Sequence, residues 1–122
     1  MKINEMIAKV KAHPDYSKVG MTLIHNGVVR EATREGRQVT DLEISVDHVI
    51  LDEIIAKAKK GKGIVEVLVW IAEGQKLFVG DDIMYLVVAG DIRENVQDTL
   101  RETLDKIKTT ATKKKQTYIN KG

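Results

Sequence analysis

Asp91-Ile92-Arg93-Glu94-Asn95-Val96-Gln97-Asp98-Thr99-Leu100-Arg101-Glu102-Thr103-Leu104-Asp105-Lys106-Ile107-Lys108-Thr109-Thr110-Ala111 is the stretch that decides the fold. Ile92, Val96, Leu100, Leu104, Ile107 and Ala111 recur at three- and four-residue steps, one apolar stripe on an otherwise polar helix. Such a helix needs one packing partner. Asp91 followed by Glu94 resembles a capping box at its start. The polar continuation Thr112-Lys113-Lys114-Lys115 lets the helix run on, so that Lys108 and Lys115, seven residues apart, leave one face off the buried stripe. Two amines aimed into one region hold a phosphate or a carboxylate. A desolvated lysine with a cationic neighbour also works as an acid, a base or a nucleophile. A solvated lysine cluster is the plainer alternative.

Upstream, the apolar pattern alternates between helical and extended. Met6, Ile7 and Val10 after Asn4 predict a first helix that stops near His13, ahead of Pro14. Residues 20–30 and 39–46 read as strands joined by the polar loop 31–37, which looks mobile. Asp47 caps a helix carrying Ile50, Leu51, Ile54, Ile55 and Ala58, closed by Gly61. The β-branched run 64–71 predicts a buried strand, 73–80 a turn region, and 82–89 a further strand. The expected fold class is α+β, in the order α-β-β-α-β-β-α, with an antiparallel sheet covered by helices on one side. The 122 residues suit a single domain, 1–122, in which the polar residues 113–122 are expected to fray as a flexible tail.

Composition narrows the function. Net charge is +2, too near neutral to argue for nucleic acid or an anionic membrane, although the segment after Arg101 is locally basic. Cysteine is absent, so thiolate catalysis and cysteine metal sites are excluded, and any sulfur would arrive on a partner. His13, His25 and His48 lack metal-ligand spacing. No apolar run is long enough for a membrane span and no leader is visible, so the cytoplasm is the expected compartment. The few aromatics do not make a base-stacking platform.

Arg30 ends the first strand in Asn26-Gly27-Val28-Val29-Arg30 and can present a planar fork to phosphate. Arg34 and Arg37 flank Gly36 and can close over an anion; a solvated loop is the alternative. Alternation puts His25 and Arg30 on opposite faces unless Gly27 bulges, and His25 reads as a packed or hydrogen-bonded strand residue.

Taken in order, Gly27-x-Val29-Arg30, the charged loop with Gly36, Val39-x-x-Leu42-Glu43, Val79-Gly80-Asp81-Asp82, and Ile107-Lys108-Thr109 with a lysine seven residues on resemble the large, catalytic subunit of molybdopterin synthase, the MoaE family. The resemblance spans roughly residues 20–115. It implies an α/β-hammerhead fold and a homodimer, or a heterotetramer with a small ubiquitin-like MoaD-type partner. The partner's C-terminal thiocarboxylate supplies sulfur to cyclic pyranopterin monophosphate, forming molybdopterin, with no resident cofactor or metal. Carried over residue by residue, it implies catalytic roles for Lys108 and Lys115, and substrate binding by Arg30, with Arg37 and Arg93 as further substrate-binding candidates. The chain also departs from the family. His25 stands where the family has Phe. The two His-Arg pairs are replaced by Ala72-Glu73 and by Asp91-Ile92-Arg93, and Pro-x-Trp between the lysines is missing. A MoaE-like module that keeps the fold and dimer but binds or regulates without catalysis is therefore the alternative.

Overall fold

A computed structural model describes residues 2–119. Helix α1 (Ile3–Lys11) leads through a 3-10 turn to strand β1 (Met21–Val28), and β2 (Val39–Val46), α2 (His48–Lys59) and β3 (Ile64–Ile71) follow. Then come the two-residue β4 (Leu77–Phe78), β5 (Asp82–Gly90), α3 (Arg93–Lys106), a π-helical turn (Ile107–Ala111) and β6 (Thr112–Tyr118). The expected α-β-β-α-β-β-α order is present, with β4 and β6 added to it.

The strands form two antiparallel three-stranded sheets, β1-β5-β3 and β4-β2-β6. Strand β5 is the centre of the first and is buried from both faces. Met84, Leu86 and Val88 join Val67, Leu51, Val96 and Ile107 under α2 and α3. Val87 and Ala89, one position out of phase, meet Met6 and Val10 of α1. Helices therefore cover both faces of this sheet, not one. A strand whose every residue from Leu86 to Gly90 is buried has no face left for water. Trp70 and Tyr85 stack across β3 and β5 at 4.9 Å between centroids. The second sheet packs Leu42, Ile44 and Leu77 against Val29 and Ala72.

Local signals explain most boundaries. Asp47 caps α2 as expected, its Oδ1 accepting from the Ile50 N–H at 3.1 Å. The box expected at α3 does not form. Asp91 stands one residue outside the cap position and accepts instead from the Ile92 N–H and the Asn95 amide. Helix α1, by contrast, starts two residues early, with Lys2 rather than Asn4 at its cap. Gly80 adopts φ 90°, and Phe78 and Asp81 close a tight turn around it that carries the chain from one sheet into the other.

The largest departure from the sequence reading is at the end of α3. The helix does not reach Lys115. Thr109 and Thr110 turn their hydroxyls back onto the carbonyls of Asp105 and Lys106, at 2.8 and 2.6 Å, and Thr112 donates to that of Ile107 at 3.2 Å. These bonds compete with the backbone ladder and widen the last turn. Residues 112–118, expected as a helix end and fraying tail, form β6 along β2, with Lys114 opposite Ile44. The rest of that expected tail, residues 120–122, lies outside the described residues.

Candidate functional site

Two adjoining cavities open where the two sheets meet. The inner one, about 460 Å³, has apolar walls from Val28, Ile44, Ile71, Ile83 and Met84, with polar groups from His25, Asn26, Lys108, Thr112 and Lys114. The outer one, about 400 Å³, is lined by Arg30, Arg34, Glu35, Gln116 and Tyr118 among others. Val28, Ile83, Lys108 and Lys114 belong to both.

Each cation arrives by a different device. Lys108 leaves the π turn between Ile107 and Ala111, both buried, so the turn is anchored while its lysine is free. Lys114 comes from β6, whose even-numbered residues Thr112, Lys114, Gln116 and Tyr118 face inward. Arg30 follows Val29, whose N–H donates to Asp81 and whose carbonyl accepts from Gly80. The ladder between β1 and β5 slips at Gly27–Val28, an irregularity that brings Arg30 to the outer cavity beside the inner one holding His25.

The remaining sequence candidates lie elsewhere. Lys115 points to the opposite face of β6, across from Glu43, in a shallow groove with Lys113 and Glu73. The physical reason is the change of period: two helical turns would have aligned residues 108 and 115, but a strand alternates residue by residue. Arg37 sits 3.7 Å from the ring centroid of Tyr118, bracing a wall of the outer cavity. The loop that carries it is a tight turn, closed by Thr33 and Arg37 and by an Ala32–Gln38 bridge. Arg93 stands beyond the far end of β5, next to Glu94, and within one chain does not join the cavities.

The electrostatics are one-sided. Among the described residues no carboxylate lines the inner cavity. Burial, reinforced by the charge of Lys108, holds Lys114 below the ordinary lysine range. The same two causes hold His25 below the ordinary histidine range. Burial without paired acids makes a place where an anion gains more than it would in water. Among the described residues no cluster of side chains could hold a metal ion.

Comparison with known proteins places the fold. A family model described as MoaE protein matches residues 1–110. The chain belongs to the MoaE family. Solved MoaE-like structures share its fold. One is a molybdopterin synthase from Staphylococcus aureus, at 21% identity and TM-score 0.72, covering 86% of this chain and 78% of that one. Another is a molybdopterin biosynthesis MoaE protein from Burkholderia ambifaria, at 21% identity and TM-score 0.76, covering 98% and 82%. A third is a complex of subunits 1 and 2 of molybdopterin-converting factor from Helicobacter pylori, at 17% identity and TM-score 0.70, covering 99% and 86%. No curated protein sequence matches the chain. Lys114 and His25 line the inner cavity although the sequence reading put Lys115 forward in place of the one and took the other for a packed or hydrogen-bonded strand residue. The signal for Lys114 was the β-branched run Thr109-Thr110-x-Thr112, which ends helices. The only signal for His25 was its closeness to the Gly27 irregularity.

Proposed function

We propose that this chain is the large subunit of a molybdopterin synthase, acting in molybdenum-cofactor biosynthesis in the cytoplasm. It moves sulfur from the C-terminal thiocarboxylate of a small ubiquitin-like, MoaD-type partner to cyclic pyranopterin monophosphate. The observation that carries this is the grouping of Arg30, Lys108 and Lys114 around two joined cavities, the inner one apolar-walled and, among the described residues, free of carboxylates. Family membership supports it, as does the solved two-subunit complex of molybdopterin-converting factor for the existence of a small partner.

The division of labour follows from the chemistry. An apolar slot with amines inside it suits an extended tail of small residues ending in an anion. Lys108, shared by both cavities, neutralises the thiocarboxylate and then the charge that develops on its carbonyl. Arg30 and Lys114 hold the substrate phosphate, one as a fork and the other as a point charge. A carbon–sulfur bond forms to the pterin side chain as the carbon–oxygen bond of the cyclic phosphate at that carbon breaks. The phosphate stays on the product as a monoester. A second partner's thiocarboxylate supplies the other sulfur at the neighbouring carbon, whose oxygen leaves as water. Water then cleaves each acyl–sulfur bond, leaving a carboxylate on the partner and a thiolate on the product, with two protons released. Arg37 acts by keeping Tyr118 in the outer wall. Lys115 and Arg93 contribute to substrate binding only if a second copy of the chain or the partner brings them to a site.

The missing His-Arg pairs favour a second reading, a binding or regulatory module that assembles without turnover. Mixing the chain with a thiocarboxylated small partner and cyclic pyranopterin monophosphate decides between them. Formation of the dithiolene supports the synthase. Assembly of the complex with no product removes the enzyme and leaves the module.

A further inference from the structure

His25 occupies an unusual position. Its ring belongs to the wall of the inner cavity, with Lys108 and Lys114 lining the same space. Its Nε2 is buried and has no hydrogen-bond partner. The ring lies close to the backbone of Gly27: a Cβ at that position would stand in ordinary contact with Nε2, at 3.4 Å, and tighter against Met84 Cγ, at 3.3 Å. An orphaned ring nitrogen costs stability unless something entering the cavity completes it. The histidine is thus faced by two cations, and among the described residues its buried nitrogen has nothing to bond.

We propose that His25 is a ligand-contacting residue of this cavity, taking up a proton from solvent as an oxyanion or thiocarboxylate binds and donating a hydrogen bond to it. A half-turn of the ring about Cβ–Cγ exchanges Nε2 with Cε1 and brings the nitrogen to the other edge of the ring. The surroundings set the sign of the coupling. The charged groups lining the inner cavity are Lys108 from the π turn and Lys114 from β6, while β2, β3 and β5 contribute only Ile44, Ile71, Ile83 and Met84. With the cavity empty, burial and Lys108 disfavour the imidazolium. A bound anion offsets the lysine charge and favours the imidazolium. By linkage, anion binding must then tighten as pH falls. The inference deepens the sulfur-transfer reading and rests on it only for which anion is the natural one.

Sulfate is a suitable probe because its charge stays fixed across the range of interest. The ring-carbon resonance of His25 is followed by NMR during pH titration of the whole chain, with and without saturating sulfate. His13 and His48, outside both cavities, serve as internal references. The midpoint of His25 is expected to rise by about half a unit to one unit with sulfate. Sulfate affinity, by calorimetry, is expected to rise about three- to tenfold between about pH 7.5 and about pH 5. In His25→Phe and His25→Gln this pH dependence disappears while binding persists at high pH. Having both variants separates loss of the imidazole from damage to packing. An unmoved His25 midpoint despite sulfate binding, an unchanged pH dependence in either folded variant, or no sulfate binding at all overturns the proposal. Linkage intact in a chain that forms no dithiolene overturns the synthase reading and leaves this one standing.

Discussion

Lys108 and Lys114 line the same two cavities although one leaves a helical turn and the other a strand. Their shared position makes each the other's electrostatic neighbour. The charge of Lys108 acts on the Lys114 amine, and the Lys114 amine is also partly withdrawn from water. Chain order alone would pair Lys108 with any of three consecutive lysines. The strand selects the middle one.

Replacing Lys108 separates chemistry from folding. Lys108 is exposed, on a turn held by its buried neighbours Ile107 and Ala111. Lys108→Ala should lower the rate of dithiolene formation by about a hundredfold or more, the range for a lost charge-stabilising group. Its thermal unfolding midpoint should stay close to that of the parent. Equal turnover in the two proteins would refute the assignment.

The choice between adjacent lysines is directly measurable. Lys114→Ala should weaken binding of cyclic pyranopterin monophosphate by about tenfold, the loss expected for a charge-assisted hydrogen bond. Lys115→Ala, on the opposite face of β6 across from Glu43, should bind within about a factor of two of the parent. The reverse ranking would mean that the substrate approaches from the other side of the strand.

Lys114 should also leave a signature in stability against pH. Its folded-state pKa lies below the ordinary lysine range, through burial first and Lys108 second. The unfolded chain therefore binds that proton more tightly. Stability attributable to this group rises with pH across the window between the folded and unfolded values, and at neutral pH the charged amine weakens the fold. Lys114→Met should raise the melting temperature at neutral pH by about one to three degrees, a small effect because the side chain keeps solvent contact. The gain should shrink as pH approaches 10.5. A variant that is less stable than the parent at neutral pH would contradict this.

Ile107 is the structural counterpart of Lys108. It is 0% exposed and packs in the core under α2 and α3. Ile107→Ala should cost about 2–5 kcal/mol by chemical denaturation, the range for a buried aliphatic truncation. Because Ile107 lines neither cavity, activity at moderate temperature should fall mainly with the folded fraction.

The fold was readable in the sequence wherever one signal was uncontested. Ile64–Ile71 is β-branched and forms β3, while Asp47 precedes an apolar helical pattern and caps α2. The site was half readable. Arg30 and Lys108 stand where motif order put them, because each is fixed by local backbone: a slipped ladder and a terminated helix. Lys115 was misplaced because the stripe ending at Ala111 gives no sign of where the period changes from helix to strand. The threonine hydroxyls decide that, and their choice depends on pairing with β2, nearly seventy residues back along the chain, which no local pattern encodes. His25 read as a packed or hydrogen-bonded strand residue because its significance lies in a missing bond, and a missing bond can be seen only once the neighbours have been placed.

The triple lysine on β6 carries a consequence for tolerance to insertion and deletion. Strand parity decides which amine enters the cavity. With lysine at 113, 114 and 115, adding or removing one residue in the preceding turn still delivers an ammonium group inward, whichever parity results. Thr112, Gln116 and Tyr118 have no such redundancy and would be turned outward together. Length variation at this corner would thus spare the positive charge and dismantle the wall around it, so that anion affinity outlasts ligand selectivity.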